Sequence, residues 1–227
     1  MNNLSGIKII SLDFFRTLVA VDDSYEFVWR NFLGENYTNE KGLRYWNRAT
    51  ETLSDIFNRA SVSDEFKNVR SLFEGTYTTL FAEMELEYDP KIAADFLVQG
   101  HQKQSLYKDV KPFFERIKGK YEVCLSTDAD IELLENIRQI YNFDEVFVSE
   151  ALGAYKLNPK FFRRVLSHYK CPPEQILHIG DSHTDIVQPK RLGIQTCWIN
   201  RYNQKWKYDI KPDYEVKSLL EIADLLG

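Results

Sequence analysis

Residues 7–13, Ile7-Lys8-Ile9-Ile10-Ser11-Leu12-Asp13, decide how the chain is read. A short apolar, β-branched run that stops abruptly at a carboxylate is what a buried strand of a parallel sheet looks like. Runs of the same texture return at 121–126 (YEVCLS), 145–148 (EVFV), 175–179 (QILHI) and 194–199 (IQTCWI). Helix-like segments at 129–141, 158–169 and 184–192 lie between them. Pro212-Asp213-Tyr214-Glu215-Val216 and the following SLLEIADLLG add a short strand and a closing helix. This alternation predicts an α/β domain built on a doubly wound parallel sheet.

Residues 24–105 have a different texture. Apolar positions recur at steps of three and four: Phe27, Val28 and Phe32; Leu43, Trp46, Leu53, Ile56 and Phe57; Phe66, Val69, Leu72, Phe73, Tyr77, Leu80, Phe81 and Met84. That spacing marks amphipathic helices. Pro90 opens a further helix at a position proline favours. The block interrupts an α/β pattern that starts at residue 7 and resumes near 106. It reads as an all-helical insertion: 1–20 and 106–227 form the α/β core, and 21–105 form the inserted domain. The aromatic stripes are expected to pack the inserted helices together.

The chain has 227 residues, with 29 Lys+Arg against 34 Asp+Glu and a formal charge of −5. A mildly acidic protein lacks the basic footprint of a general nucleic-acid binder. Cys124, Cys171 and Cys197 form no CxxC and fit neither a disulfide framework nor a zinc site. The first residues lack the basic and apolar regions of a signal peptide. No apolar stretch approaches the roughly 20 residues needed to span a bilayer. A cytoplasmic protein without nucleic-acid or membrane partners is expected, as a monomer or homodimer.

The chemistry concentrates at strand ends, where open α/β sheets place their sites. Asp13 follows the first strand, and Ser126 and Thr127 end the second. Asp181 follows Gly180, with Asp185 four residues on. Three acids without a histidine or thiol cluster suit a hard cation such as Mg²⁺. Lys156, in AYKLNP, adds a positive charge. A cation, a lysine and a nucleophilic carboxylate together describe a site for a phosphate dianion. His101, His168 and His178 carry no partner pattern and are assigned to surface or core.

Four motifs occur in a recognisable order: Asp13-Phe14-Phe15-Arg16-Thr17-Leu18, Val123-Cys124-Leu125-Ser126-Thr127, Lys156-Leu157-Asn158-Pro159 and Gly180-Asp181-Ser182-His183-Thr184-Asp185. With them the chain resembles the haloacid dehalogenase (HAD) superfamily, with a Rossmann-like core and a C1-type helical cap. The resemblance implies that Asp13 is the nucleophile and that an aspartyl enzyme forms. Asp13, Asp181 and the backbone carbonyl of Phe15 would hold Mg²⁺. Asp185 would hold metal-bound water or orient Lys156. Ser126 would hydrogen-bond the transferring group, and Lys156 would neutralise its charge. Arg16 and Thr127 are candidate substrate contacts, with Arg30, Arg44 or Arg48 as further anion-binding candidates in the cap. Hinges are implied near 19–24 and 103–109.

One residue departs from the family's pattern. Phosphatases of this superfamily carry a second Asp two residues after the nucleophile, as general acid and base. Here that position is Phe15, which can do neither. The leading expectation is a Mg²⁺-dependent phosphatase acting on a small phosphorylated metabolite, using a good leaving group or another acid such as Asp128 or His183. The alternatives are a dehalogenase-like hydrolase working through an aspartyl ester, and a catalytically weak HAD-fold binding or regulatory protein. The retained Asp181 counts against dehalogenation, because halide displacement needs no Mg²⁺.

Overall fold

A computed structural model describes residues 4–21, 24–63, 65–135, 137 and 140–227. Six strands form one all-parallel sheet: β1 (Ile9–Leu12), β2 (Glu122–Thr127), β3 (Glu145–Val148), β4 (Ile176–Gly180), β5 (Gln195–Ile199) and β6 (Tyr214–Val216), in the order β3-β2-β1-β4-β5-β6. The strand order reverses at β1, which puts the crevice at a topological switch point beside the residues that follow it. All four residues of β1 are buried, so the strand is covered on both faces, as a central parallel strand is. Each apolar run quoted above is one of these strands.

The chain divides into two compact units. The first comprises Met1–Ala20, Ser105–Asp128 and Asn136–Gly227, and the second Val21–Gln104 with Ala129–Glu135. In the first, the chain crossings pair with each other: Ala20 N–H donates to the Ser105 carbonyl at 3.0 Å and Tyr107 N–H to the Leu18 carbonyl at 3.0 Å. Its helices are α5 (Val110–Ile117), α6 (Ser149–Leu152), α7 (Pro159–Tyr169), α8 (Val187–Arg191) and α9 (Leu219–Leu226). Pro159 at the first turn of α7 has no N–H to leave unpaired, and Asn158 caps that helix by accepting the Lys160 N–H.

The second unit is helical: α1 (Ser24–Leu33), α2 (Asn39–Ser61), α3 (Val69–Glu83) and α4 (Pro90–Gln102). The fully buried Trp29 anchors it, with the rings of Tyr45, Tyr77, Phe81 and Phe32 at 4.9–6.3 Å. The aromatic stripes are core, as their spacing suggested. The α2 stripe differs from the expected one. Gly42, Tyr45, Ala49 and Thr52 are its buried face, and Leu43 is 49% exposed. Gly42 lets the Tyr37 ring approach, since a Cβ there would lie 2.6 Å from it.

A second difference concerns 129–141, expected to be a helix. Its described residues form a 3₁₀ turn, Ile131–Leu134, and residues 136, 138 and 139 of that span lie outside the described set. The acids that would have capped a helix here serve another one. Asp130, 1% exposed, accepts the Val69 N–H at 2.7 Å and the Arg70 N–H at 2.8 Å, and Glu132 binds Arg70 at two points. Asn68 accepts the next donor, Ser71 N–H. The first three amides of α3 are therefore satisfied by side chains. Residues 129–135 accordingly cluster with the helical unit, where the sequence boundary had left them in the core. Asp130→Ala should cost about 1–2 kcal/mol. This would lower the melting temperature by on the order of 2–8 °C and speed hydrogen exchange at Val69 and Arg70. Unchanged exchange at those two amides would contradict this capping role.

Candidate active site

The site is built on the first unit by three chain segments. Asp13 continues the β1–β4 ladder, its N–H donating to the Ile179 carbonyl at 2.9 Å, so its position is fixed by the sheet. Thr17, four residues on, donates its hydroxyl to Asp13 Oδ2 at 3.1 Å. Lys156 reaches in from the segment before α7. Its Nζ lies 2.6 Å from Asp13 Oδ1 and 2.5 Å from Asp185 Oδ1. Lys156 is 2% and Asp13 5% exposed, and Asp185 is fully buried.

Asp185 is held on every side. Ser182 gives it both a backbone N–H (3.0 Å) and a hydroxyl (2.7 Å) at Oδ2, closing a capping box on the 3₁₀ turn His183–Asp185. Gly180 is required here, because a Cβ would stand 2.1 Å from Asp185 Cγ. Burial raises the Asp185 carboxyl, but Lys156 and His178 outweigh it and hold the group far below the usual carboxylate range. Burial likewise pulls the Lys156 ammonium down, and Asp13, Asp185 and Asp128 more than restore it. Asp13 is pushed up, first by burial, with Lys156 opposing.

Asp181 completes an acidic cluster. One oxygen from each of Asp13, Asp181 and Asp185 lies within 4.8 Å of the others. Burial, then the Asp13 charge, pushes Asp181 up to about 8, against Arg16. Carboxylates so crowded repel one another, and a divalent cation would relieve that repulsion. Hard oxygen donors in this arrangement fit Mg²⁺. Each Asp185 oxygen already takes two protein donors, whereas each Asp13 oxygen takes one, so Asp13 and Asp181 have the freer valences.

The remaining expected residues fall as follows. Arg16 has a left-handed backbone (φ 62°), uncommon for a residue with a side chain. Its Nε stands 3.3 Å from Asp181 Oδ2, and its guanidinium lies over the Tyr202 ring at 5.2 Å. Phe15 is half-buried, edge-on to Phe14 with centroids 4.9 Å apart. Thr127 Oγ1 is buried and has no hydrogen-bond partner among the described residues. In the helical unit Arg48 is engaged with Glu83 at 2.8 and 2.9 Å, and Arg30 lies 3.5 Å from Glu26 and stacks over Tyr37.

His178 corrects the reading that left it without partners. Its Nε2 lies 3.1 Å from Asp185 Oδ1 and its Nδ1 2.8 Å from Ser11 Oγ; Ser11 Oγ is 2.8 Å from Ser126 Oγ. A buried chain of polar groups thus runs Lys156–Asp185–His178–Ser11–Ser126. The signal was present in the sequence, since Ser11 and His178 are the polar residues within two apolar central strands. The sheet register pairs Ser11 with His178 directly.

Among known proteins, the glyceraldehyde 3-phosphate phosphatase of Pyrococcus furiosus is 25% identical over 234 residues, covering 97% of this chain and 93% of that one. The structure of the YfnB HAD-hydrolase of Bacillus subtilis, bound to magnesium, superimposes with a TM-score of 0.81 at 19% identity, over 97% of this chain and 99% of that one. The L-2-haloacid dehalogenase of Xanthobacter autotrophicus gives 0.82 at 15% identity, over 97% and 98%. These two structures share the fold. The sequence pattern of haloacid dehalogenase-like hydrolases matches residues 7–193, and the chain belongs to that family.

Proposed function

We propose that the protein is a Mg²⁺-dependent phosphatase that hydrolyses a small phosphorylated metabolite through an aspartyl-phosphate intermediate on Asp13. The observation that carries this reading is the acidic cluster of Asp13, Asp181 and Asp185 around the buried Lys156. A phosphate dianion brings two negative charges to the reacting centre where a carbon–halogen bond brings none, and Lys156 together with the cation the carboxylates would hold supplies the countercharge. Bound Mg²⁺ would neutralise charge on the phosphoryl oxygens, with Asp13, Asp181 and the Phe15 carbonyl as its protein ligands. The phosphatase among the relatives and the magnesium in the YfnB structure support the same reading.

The chain's own residues then divide the work. Asp13 attacks phosphorus, its attacking carboxylate held in place by Lys156 and Thr17. Lys156 faces the charge that develops on the transferring group, and Asp185 keeps the ammonium aimed there. Ser126, positioned by Ser11, and Thr127 offer hydroxyls to the phosphoryl oxygens. Arg16, beside Asp181, is a candidate contact to the rest of the substrate. Phe15, an aromatic residue in place of an acid, is what favours the second reading, a dehalogenase-like hydrolase.

Phosphate release from phosphorylated metabolites and an activated aryl phosphate, measured with Mg²⁺ and with EDTA, tests the proposal. Mg²⁺-dependent release is expected. Asp13→Asn should lower it by about 10⁴-fold or more, since an amide is no nucleophile. Release of halide from 2-haloacids, without phosphate release, would overturn it in favour of the second reading. Thermal melting gives an independent readout. Mg²⁺ at 100 times its dissociation constant should stabilise the protein by about 2.7 kcal/mol, and Asp181→Asn should remove most of that gain. A melting temperature indifferent to Mg²⁺ would contradict the metal assignment.

A further inference from the structure

Phe15 leaves the proposed reaction without its usual proton donor, so a poor leaving group such as an alkoxide would have to take its proton from another residue. The sheet register shows where to look. Leu12 of β1 pairs with Leu125 of β2. Phe15 is three residues beyond Leu12, and Asp128 is three residues beyond Leu125. β1 has ended before Phe15 and β2 ends at Thr127, so Asp128 is the acid on the loop that leaves the strand beside β1. Asp128 Oδ1 accepts the backbone N–H of Lys156 at 2.8 Å, which ties the carboxyl to the segment that delivers the site's ammonium. Its other oxygen, Oδ2, is buried and has no hydrogen-bond partner among the described residues.

We propose that Asp128 is the general acid and base of this enzyme, taking over, from the loop after the adjacent strand, the task that Phe15 cannot perform. The proposal rests on the phosphatase reading above. In the first step Asp13 attacks phosphorus and the bond to the ester oxygen breaks. The bonding pair goes to that oxygen, which takes the proton from Asp128 Oδ2. In the second step the Asp128 carboxylate accepts a proton from water as the water oxygen attacks phosphorus. The Asp13–phosphorus bond breaks, phosphate leaves, and both carboxyl groups return to their starting states.

The electrostatics agree with this assignment. Burial pushes the Asp128 carboxyl up to about 7, with Asp185 and Asp13 adding to the rise and Lys156 opposing it. A group balanced near neutrality can give a proton in one step and take one in the next. His183, the other candidate acid, is stacked flat on Tyr208 with centroids 4.5 Å apart.

The test is the dependence of kcat/KM on the leaving group. Asp128→Asn keeps an acceptor for the Lys156 N–H and removes the proton. It should lower kcat/KM for alkyl phosphates by about 10²–10⁴-fold, while an activated aryl phosphate loses about tenfold or less. Equal losses on both classes, or no loss on alkyl phosphates, would overturn the role of Asp128 and leave the phosphatase reading standing. If the native protein itself released no phosphate from either class, both would fall. Should the Asn variant not fold, Asp128→Ser is measured in the same way and read against the same outcomes. Placing the acid back, with Phe15→Asp in the Asp128→Asn protein, should restore alkyl phosphate turnover selectively. Failure to restore it in a folded double variant would count against the missing proton as the defect.

Discussion

The Lys156 ammonium, buried between Asp13 and Asp185, is the interaction on which the rest of the site depends. Taking a charged group out of water costs several kcal/mol per ion, which is recovered only with close partners and saturated hydrogen bonds. Here three ions share that cost. The ammonium gives one hydrogen bond to each acid, and Asp185 takes three more from Ser182 and His178. No member could be buried at its position without the others. The strand ends and the turn before α7 must therefore be fixed together, and Gly180 and the Asn158 cap are the local devices that fix them.

The same arrangement explains why the acidic cluster is chemically poised. Asp185 is held ionised, while Asp13 and Asp181 are pushed upward by burial and by each other. Neighbouring carboxylates with such different proton affinities can take different tasks. The fully bonded one orients the lysine. The less satisfied ones gain most from a cation or from a bond to phosphorus.

Much of this was legible in the sequence. Five of the six strands announced themselves as short apolar runs, because a parallel strand covered on both faces shows little polar surface; β6, at the sheet edge with Glu215 exposed, was read from the stretch 212–216. Asp13 and Asp181 were picked out by their places after those strands, Asp185 by its spacing from Asp181 and Lys156 by the motif it opens, and the fold brings them together. Other features were less legible, for identifiable reasons. The buried face of α2 mixes Tyr45 with the small or polar Gly42, Ala49 and Thr52, which an apolar count passes over, so that count favoured Leu43 instead. Residues 129–135 were assigned to the core because the capping of Val69 and Arg70 by Asp130 joins positions about sixty residues apart. His178 was overlooked because its partners come from register, which a single sequence does not state.

The central claim is that Asp13 carries the phosphoryl group. Acid quenching during steady turnover, followed by mass spectrometry of the proteolysed chain, tests it most directly. The account predicts a phosphoryl adduct on the carboxylate of Asp13 that vanishes when the substrate is exhausted. An adduct on any other residue, or continuing phosphate release with Asp13 unmodified throughout, would contradict it.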